Sequence, residues 1–298
     1  MNRAPLALGV WLWIASSPLL AQQLSAIGFV DLEVAPGFSL IANPLGTPDN
    51  TVSALFRGVR RGVPEGTTLF KLIEAGATNA PLSEDLGKAL VEGVLSKLPA
   101  SVGGSVSIRL ENGNVVLEWT GTLQTAAEAA GSYEAVDPAR SPLQLAPSQA
   151  RQFWRSQIRS SLSAAQFAAN IFRAGEWTDP GQTLMPGEGA ILFNPGPEAF
   201  VLSFDGQILG GRLTNPIPAH WSLRANMLPL TGGLSSDAGL ELSPGDGVFL
   251  WDQGSFSQFT YRGGKSWFPF EPQIGAAKAF FIFANQPTVW EQDFSVDR

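Results

Sequence analysis

Short runs in which apolar and polar residues alternate, each closed by a turn sequence, recur along most of the chain. The run Phe29-Val-Asp-Leu-Glu-Val34 alternates apolar with acidic residues, which is typical of a strand with one buried face. Pairs such as Pro36-Gly37 and Pro244-Gly245 separate the runs and mark turns. The pattern predicts a mainly all-β, antiparallel protein, built as a sandwich or a barrel. Other predicted strands cover residues 67–70, 190–193, 200–204, 248–251 and 279–283.

Two parts of the chain resemble each other. The run Phe38-Ser-Leu-Ile-Ala-Asn-Pro-Leu45 aligns with Trp221-Ser-Leu-Arg-Ala-Asn-Met-Leu228, and five of the eight positions are identical. A second block aligns Trp177 with Trp267, and residues 193 and 283 are both Phe. Internal similarity of this kind predicts two duplicated β units of sandwich-like or barrel-like form.

The first unit contains an insertion. The alignment matches Phe70 with Trp251 and Phe172 with Tyr261. Tyr261 follows Trp251 closely in the second copy, whereas Phe172 lies far along the chain from Phe70 in the first. A hairpin tolerates an insert because the entropy cost of closing a loop grows slowly with its length. We therefore expect a discontinuous first unit at 27–73 plus 165–206, an insert at 74–164, and a second unit at 207–298.

The insert has its own pattern. After Ser83-Glu-Asp, an apolar residue recurs at every fourth position from Leu86 to Leu98, which predicts an N-capped amphipathic helix. Two apolar runs then flank Asn112-Gly113, a strong hairpin signal. The insert is therefore predicted to be small and β-rich, with one helix. Further strands are expected at 132–136, 143–145 and 152–158.

The first 21 residues have the pattern of a cleavable signal peptide. Arg3 supplies the positive charge, an apolar stretch follows it, and Ala21 is a small residue suited to the cleavage site. The alternative, an uncleaved anchor, is disfavoured because the apolar stretch is shorter than the roughly 20 residues that span a bilayer. We expect a secreted protein, extracellular or periplasmic, with no transmembrane segment after cleavage.

Composition excludes several classes of function. The net charge is −7 and there is no basic cluster, so nucleic acid is not an expected partner. The chain has no Cys and one His, which leaves too few ligands for a zinc, copper or haem site. No calcium loop with alternating Asp or Asn is present. We therefore expect no metal and no cofactor.

The aligned blocks resemble those of secreted β-repeat proteins of environmental bacteria, a mostly uncharacterised group. The blocks are Gly37-Phe-Ser-Leu-Ile-Ala-Asn-Pro-Leu45, Trp177-Thr-Asp-Pro180 and Leu184-Met-Pro-Gly-Glu-Gly189, and the resemblance covers about 27–73 and 165–296. In the insert, Asn114-Val-Val-Leu-Glu-Trp-Thr-Gly-Thr-Leu-Gln124 and Arg151-Gln-Phe-Trp-Arg155 resemble a fibronectin type III-like module. The resemblance implies architecture and supplies no catalytic residues.

Candidate chemistry has a simpler explanation in each case. His220 could act as a base, but no Gly-x-Ser-x-Gly elbow accompanies it, so a surface turn residue is favoured. Gly263-Gly-Lys-Ser266 lacks the first Gly of a phosphate-binding loop and lies where a hairpin turn is expected. Carboxylates are scattered, and Glu291 and Asp293 alternate on one predicted strand. We therefore assign no catalytic, cofactor-binding or metal-binding residue.

Tryptophans offer one further binding hypothesis. Trp177, Trp221, Trp251 and Trp267 could form a platform on which sugars stack, but aromatic residues shared by duplicated units usually belong to the core. Phe268-Pro-Phe270 has no counterpart in the other copy, so it is the better candidate for an exposed patch.

The sequence favours an exported, non-enzymatic structural, adhesive or binding protein of the cell surface or extracellular matrix. The alternatives are a carbohydrate-binding accessory module and, third, a hydrolase that uses carboxylates. Candidate partners are polysaccharides or other surface proteins.

Overall fold

The computed structural model describes residues 26–59, 62–73, 82–136, 140–146, 152–159 and 161–295. The chain is all-β, with antiparallel strand pairs and two short α-helices within those ranges. The predicted signal peptide lies outside the described residues.

The secondary structure falls into four consecutive groups. The first is β1 (Ile27–Val34), β2 (Gly37–Ala42), α1 (Val52–Leu55) and β3 (Thr68–Leu72). The second is α2 (Glu84–Gly93), β4 (Ser101–Gly103), β5 (Val106–Glu111), β6 (Asn114–Trp119), β7 (Thr122–Ala126), β8 (Glu134–Ala135), β9 (Leu143–Leu145) and β10 (Phe153–Arg159). The third is β11 (Phe167–Arg173), β12 (Glu176–Trp177), β13 (Gly189–Asn194) and β14 (Phe200–Gln207). The fourth is β15 (Gly211–Ile217), β16 (His220–Ala225), β17 (Gly232–Gly233), β18 (Gly247–Asp252), β19 (Ser255–Gly263), β20 (Ser266–Phe268), β21 (Gln273–Ile274), β22 (Ala279–Ala284) and β23 (Thr288–Phe294). Single-turn 3-10 helices cover Phe56–Gly58, Leu95–Lys97 and Ala164–Gln166.

One five-stranded sheet is built from strands on both sides of the second group. Its order is β12-β11-β3-β13-β2, and a separate ribbon pairs β1 with β14. β3 pairs with β11, so Phe70 and Phe172 lie on neighbouring strands. We call this sheet and ribbon the first unit.

The fourth group forms a second unit with the same strand order. Its sheet runs β20-β19-β18-β22-β16, and β15 pairs with β23 as a ribbon. The edge pairs also match, because Phe38 faces Phe193 in the first unit and Trp221 faces Phe283 in the second. In the second unit only Gln253 and Gly254 separate β18 from β19, whereas residues 73–166 lie between β3 and β11.

The strand register corrects one residue match proposed from the sequence. Ile191 faces Phe70 in the first unit, and Phe281 faces Phe249 in the second. Phe70 therefore corresponds to Phe249, and not to Trp251 as the sequence alignment had it. Trp251 lies two residues further along its strand, so its counterpart is Leu72.

The segment between β3 and β11 contains two further sheets. The three-stranded sheet is β5-β6-β9, and the four-stranded sheet is β4-β10-β7-β8. Asn112 and Gly113 have φ values of 50° and 78° and close the β5–β6 hairpin, as their sequence predicts. Ser83 caps α2 at the predicted position, but α2 ends at Gly93 instead of continuing to Leu98, because Val94 leaves helical geometry at φ −133°.

Three apolar clusters hold the units together. One lies inside the first unit around Leu32, Leu69 and Phe204, and another lies inside the second around Val248 and Trp290. The third joins the facing sheets of both units with the apolar face of α2. The units thus share a core and pack against each other.

Reciprocal backbone hydrogen bonds link the two units. The Ala42 amide donates to the Ala277 carbonyl at 3.0 Å, and the Ala225 amide donates to the Gly187 carbonyl at 3.0 Å. Ala42 and Ala225 hold the same place on β2 and β16, and both accepting residues precede the matching strands β13 and β22. Each unit therefore donates one hydrogen bond to the other and accepts one in return, as the subunits of a symmetric dimer do.

Candidate functional site

A cleft of about 1480 Å³ opens between the two units. Its walls are the edge of β16, the end of β3, part of β11, the corner between β15 and β16, and segment 161–166 that returns the chain to the first unit. A volume of this order exceeds the 300–1,000 Å³ of typical small-molecule sites. The cleft therefore has room for part of a macromolecule.

Charged side chains in the cleft wall balance one another. Lys71 Nζ lies 2.9 Å from Glu188 Oε2 and also donates to the Thr183 carbonyl at 2.7 Å. The other charged lining residues are Asp179 and Arg224, so the formal charges sum to zero. The Lys71–Glu188 pair is half-buried, which fixes its geometry more firmly than an exposed pair. The cleft wall therefore has no net formal charge that would attract a strongly charged ligand.

His220 stands at the rim of the cleft in an uncommon backbone conformation. It is exposed, its φ is 68°, and its ring packs edge-on against Phe283 with centroids 5.9 Å apart. The equivalent residue of the first unit is Gly37, with φ 87°. A residue with a side chain is disfavoured in this region and glycine is not, so His220 costs stability at a place where glycine fits. Conformational cost of this kind is often found at functional sites.

The matching edge of the first unit has different neighbours. Trp251 Nε1 donates to the Phe38 carbonyl at 2.9 Å, and Gly93 of α2 lies so close to the Phe38 ring that a Cβ there would overlap it. Lys97 Nζ sits 5.1 Å from the centroid of the Trp251 ring. The equivalents of Phe38 and Trp251 are Trp221 and Leu72, and both of these line the open cleft.

The four tryptophans do not form an exposed platform. Trp177, Trp221 and Trp267 are 5%, 7% and 6% exposed. Trp251 is half-buried beneath Lys97. Sugar stacking on this set of rings is therefore excluded in this conformation.

Phe268 and Phe270 do reach the surface. They are 54% and 64% exposed, and the Arg262 guanidinium lies 4.6 Å from the Phe268 ring centroid. Phe270 also contacts Phe259 edge-on, at 5.4 Å between centroids. These rings form a small apolar patch outside the cleft.

The carboxylates of Asp246 and Glu291 lie in separate places. Burial raises the pKa of Asp246, although amide hydrogen bonds from Asn285 and Ser243 oppose the shift. Asp246 is inaccessible to solvent, so it can stabilise a turn but cannot meet a substrate. Glu291 pairs with Arg212 at 2.7 Å on the exposed face of β23.

The remaining motif is a turn. Gly263, Gly264 and Lys265 all have positive φ and connect β19 to β20, and the Lys265 amide donates to the Tyr261 hydroxyl at 3.1 Å. Among the described residues, no cluster of three or more His, Asp or Glu could hold a metal ion.

Comparison of the chain with protein-family models, curated proteins and solved structures found no match. None of the helices in the described ranges has both the length and the apolar character needed to cross a membrane.

Sequence reasoning missed the cleft and most residues of its wall. Lys71, Leu72 and Glu188 belong to ordinary strand and turn patterns, and only the packing of two units brings them together. One signal was available. His220 aligns with Gly37 next to a well-matched block, so a side chain stands where the aligned segment has none.

Proposed function

We propose that this is an exported, non-enzymatic binding protein of the cell surface or extracellular matrix, and that it binds its partner in the cleft between the two β units. A structural or adhesive role follows if the partner is itself a matrix or surface component. The proposal concerns binding only and includes no chemical step.

The observation that carries the proposal is the cleft of about 1480 Å³ between the two units, with the exposed His220 at its rim in a backbone conformation that glycine adopts at the equivalent place of the first unit. A concave surface of this kind is the usual form of a binding site.

We also infer that the two units arose by duplication and that the insert is fibronectin type III-like. Equal strand order and reciprocal contacts between the units support the first inference. A three-stranded and a four-stranded antiparallel sheet in the insert support the second, since such modules are two-sheet sandwiches. Secretion after removal of residues 1–21 is part of the same proposal.

A carbohydrate-binding accessory role is the second candidate. The exposed Phe268 and Phe270 rings favour it, because aromatic faces bind sugars and more than half of each side chain is open to solvent. Under this alternative the ligand would contact the patch near Arg262, away from the cleft.

A binding screen with matched variants tests both candidates. The mature protein, residues 22–298, is titrated with soluble polysaccharides and with extracellular proteins, and hydrolysis products are measured in the same samples. His220→Gly should weaken binding in the cleft at least about tenfold while the free energy of unfolding stays within about 1 kcal/mol, because glycine fits the local backbone.

Ala174→Gly is the matched control. Ala174 is exposed, has φ 53° and lies outside the cleft wall, so the same relief of backbone cost should leave binding unchanged. Binding that survives His220→Gly and is lost in Phe268→Ala would favour the carbohydrate patch. Turnover abolished by one Asp or Glu substitution would refute the non-enzymatic proposal.

A further inference from the structure

We infer that two copies of this chain associate through the outer edge of β5, so that their three-stranded sheets join into one continuous antiparallel sheet. β5 is the edge strand of the sheet β5-β6-β9 in the insert. Within the described ranges, no strand or isolated bridge pairs with its outer side. The contact uses no residue of the cleft wall, so it goes beyond the proposed function and does not depend on it.

The edge strand presents apolar side chains to solvent. Ile108 and Leu110 are 62% and 78% exposed and share one face of the sheet, while Arg109 lies on the other face. Edge strands are usually protected against pairing by proline, by a bulge or by projecting charges. β5 has no proline and pairs with β6 in unbroken register. Arg109 is bonded to Glu118 of β6 at 3.0 Å, so its charge is drawn inwards and does not guard the edge.

Backbone groups on the outer side of β5 belong to every second residue. Glu111 and Asn114 flank the turn of the β5–β6 hairpin and form a hydrogen-bonded pair. The Thr120 amide also donates to the Ser105 carbonyl at 3.1 Å, so the odd-numbered residues bond inwards to the neighbouring chain segment. Hydrogen-bonded and non-hydrogen-bonded pairs alternate in an antiparallel ladder. The amides and carbonyls that face outwards therefore belong to the even-numbered residues, which are Val106, Ile108 and Leu110.

Pairing of β5 with a second copy about a two-fold axis has one register that suits all of these groups. With Ile108 on the axis, Ile108 faces its own equivalent, and Val106 faces Leu110 in both directions. Each facing pair then consists of residues whose backbone groups point outwards, so each pair exchanges two hydrogen bonds. Apolar side chains also meet apolar side chains at every one of these pairs, which stabilises cross-strand contacts.

Charges disfavour the neighbouring register. Moving the axis by one residue, onto Arg109, would place two Arg109 side chains directly opposite each other, and like charges at facing positions are destabilising. With Ile108 on the axis, Arg109 faces Ser107, and Glu111 faces Ser105. The strand is thus complementary to itself in backbone bonding, in apolar contacts and in charge. This self-complementarity selects a second copy of the chain as the partner.

The surroundings of the strand leave room for a second hairpin. Residues 107–111 are exposed, and Val106 is half-buried at the start of the strand. Before Val106 the chain passes through Gly103 and Gly104, which line a cavity of about 390 Å³ beside β10. In the inferred register the Asn112-Gly113 turn of the second copy lies beyond Val106, on the side of this cavity. The turn therefore does not meet a filled surface.

Sedimentation velocity at several concentrations tests the association. The mature protein, residues 22–298, should show a reversible equilibrium between monomer and dimer. Ile108→Lys places two like charges on the axis, so it should raise the dimer dissociation constant at least about tenfold. Ile27→Lys is the matched control, because Ile27 is 84% exposed and lies on β1. It makes the same chemical change away from β5 and should leave the equilibrium unaltered. Thermal unfolding of both variants should resemble that of the unmodified protein.

A single cysteine tests the register. The chain has no Cys, so Ile108→Cys introduces one thiol per copy. The two substituted residues would lie about 5.5 Å apart between Cα atoms, so a short bifunctional thiol reagent should join the copies. Leu110→Cys is the control, because its two equivalents are separated by four residues along the strand, about 14 Å. A reagent that spans less than this distance should not join them.

Each outcome bears on the inference. A dimer that Ile108→Lys weakens and Ile27→Lys does not, with cross-linking of Ile108→Cys, supports it. A protein that stays monomeric up to about 1 mM, a dimer that Ile108→Lys leaves unchanged, or cross-linking of Leu110→Cys in place of Ile108→Cys overturns it. If a different extracellular protein binds and Ile108→Lys abolishes that binding, the edge serves another partner and the inference fails. His220→Gly should change none of these results, so failure here leaves the proposed function standing.

Discussion

Replacing Trp267 with alanine should lower the free energy of unfolding by about 3–5 kcal/mol, the range for a large aromatic residue removed from a core. Trp267 is 6% exposed, and its ring packs edge-on against Tyr261 with centroids 4.9 Å apart. Its Nε1 donates to Ser235 Oγ at 2.9 Å in a buried setting. The substitution therefore removes an apolar contact, an aromatic pair and a hydrogen bond together.

The magnitude can be divided between packing and hydrogen bonding. Burial of a Trp removes about 150–250 Å² from water, worth about 4–6 kcal/mol at about 25 cal/mol per Å², before the loss of side-chain entropy. The hydrogen bond contributes about 1 kcal/mol. Ser235 Oγ still donates to the Leu240 carbonyl at 2.6 Å, so its hydroxyl keeps one partner. Trp267→Phe should accordingly cost about 1–2 kcal/mol, because most of the packing remains and the hydrogen bond is lost.

The equivalent position of the first unit provides the comparison. Trp177 is 5% exposed and packs against Phe56 and Phe172, with centroids 4.9 Å and 5.5 Å away. Trp177→Ala should cost the same about 3–5 kcal/mol, again measured by urea unfolding followed by circular dichroism. Phe268→Ala, next to Trp267 but 54% exposed, should cost less than about 1 kcal/mol. Losses below 1 kcal/mol for both tryptophans would show that the rings are not core residues.

Three further predictions follow from other parts of the structure. Burial raises the pKa of Asp246 above its ordinary value of 3.8. The contribution of Asp246 to stability should therefore fall as the pH rises from 3.8 through the raised pKa. Urea unfolding should show the stability difference between the unmodified protein and Asp246→Asn shrinking over that interval. Gly104→Ala should cost about 1–3 kcal/mol, since its Cβ would overlap a backbone carbonyl oxygen, whereas Gly103→Ala next to it meets nothing within 4 Å. Export should remove the segment through Ala21, so mass measurement of the secreted protein should show Gln22 as the first residue; retention of the segment in a membrane fraction would contradict this.

Sequence patterns could predict most strands because each carries its own periodicity. The Asn112-Gly113 turn and the strand Leu143–Leu145 lie where the sequence placed them. A turn signal of this type involves only near neighbours, so no knowledge of packing was needed to find it. Asn43 and Asn226 are different. Each Oδ1 accepts the amide two residues later, but Asn43 Nδ2 also donates to the Leu184 carbonyl, and Asn226 Oδ1 also accepts from Gln292 Nε2.

The cleft could not be predicted because it depends on how two units pack. Trp251 was interpreted as the counterpart of Phe70, and only the strand register shows that Leu72 holds its place. A difference of two residues in the alignment hid the fact that Trp251 at one edge corresponds to Leu72 at the other. The helix α1 was also missed, since Val52–Leu55 forms a single turn whose cap, Thr51, resembles any loop threonine.

The reciprocal bonds from Ala42 to Ala277 and from Ala225 to Gly187 have a consequence for how such a molecule can change. In a homodimer, one gene encodes both edges, so a residue that closes one edge closes the other too. Here both halves belong to one chain, and their association is intramolecular, independent of protein concentration. The two edges are then free to differ: Trp251 and α2 lie against one, while His220 stands at the other, where the first edge has Gly37. A single chain can therefore carry two equivalent edges with different surroundings, which a homodimer cannot.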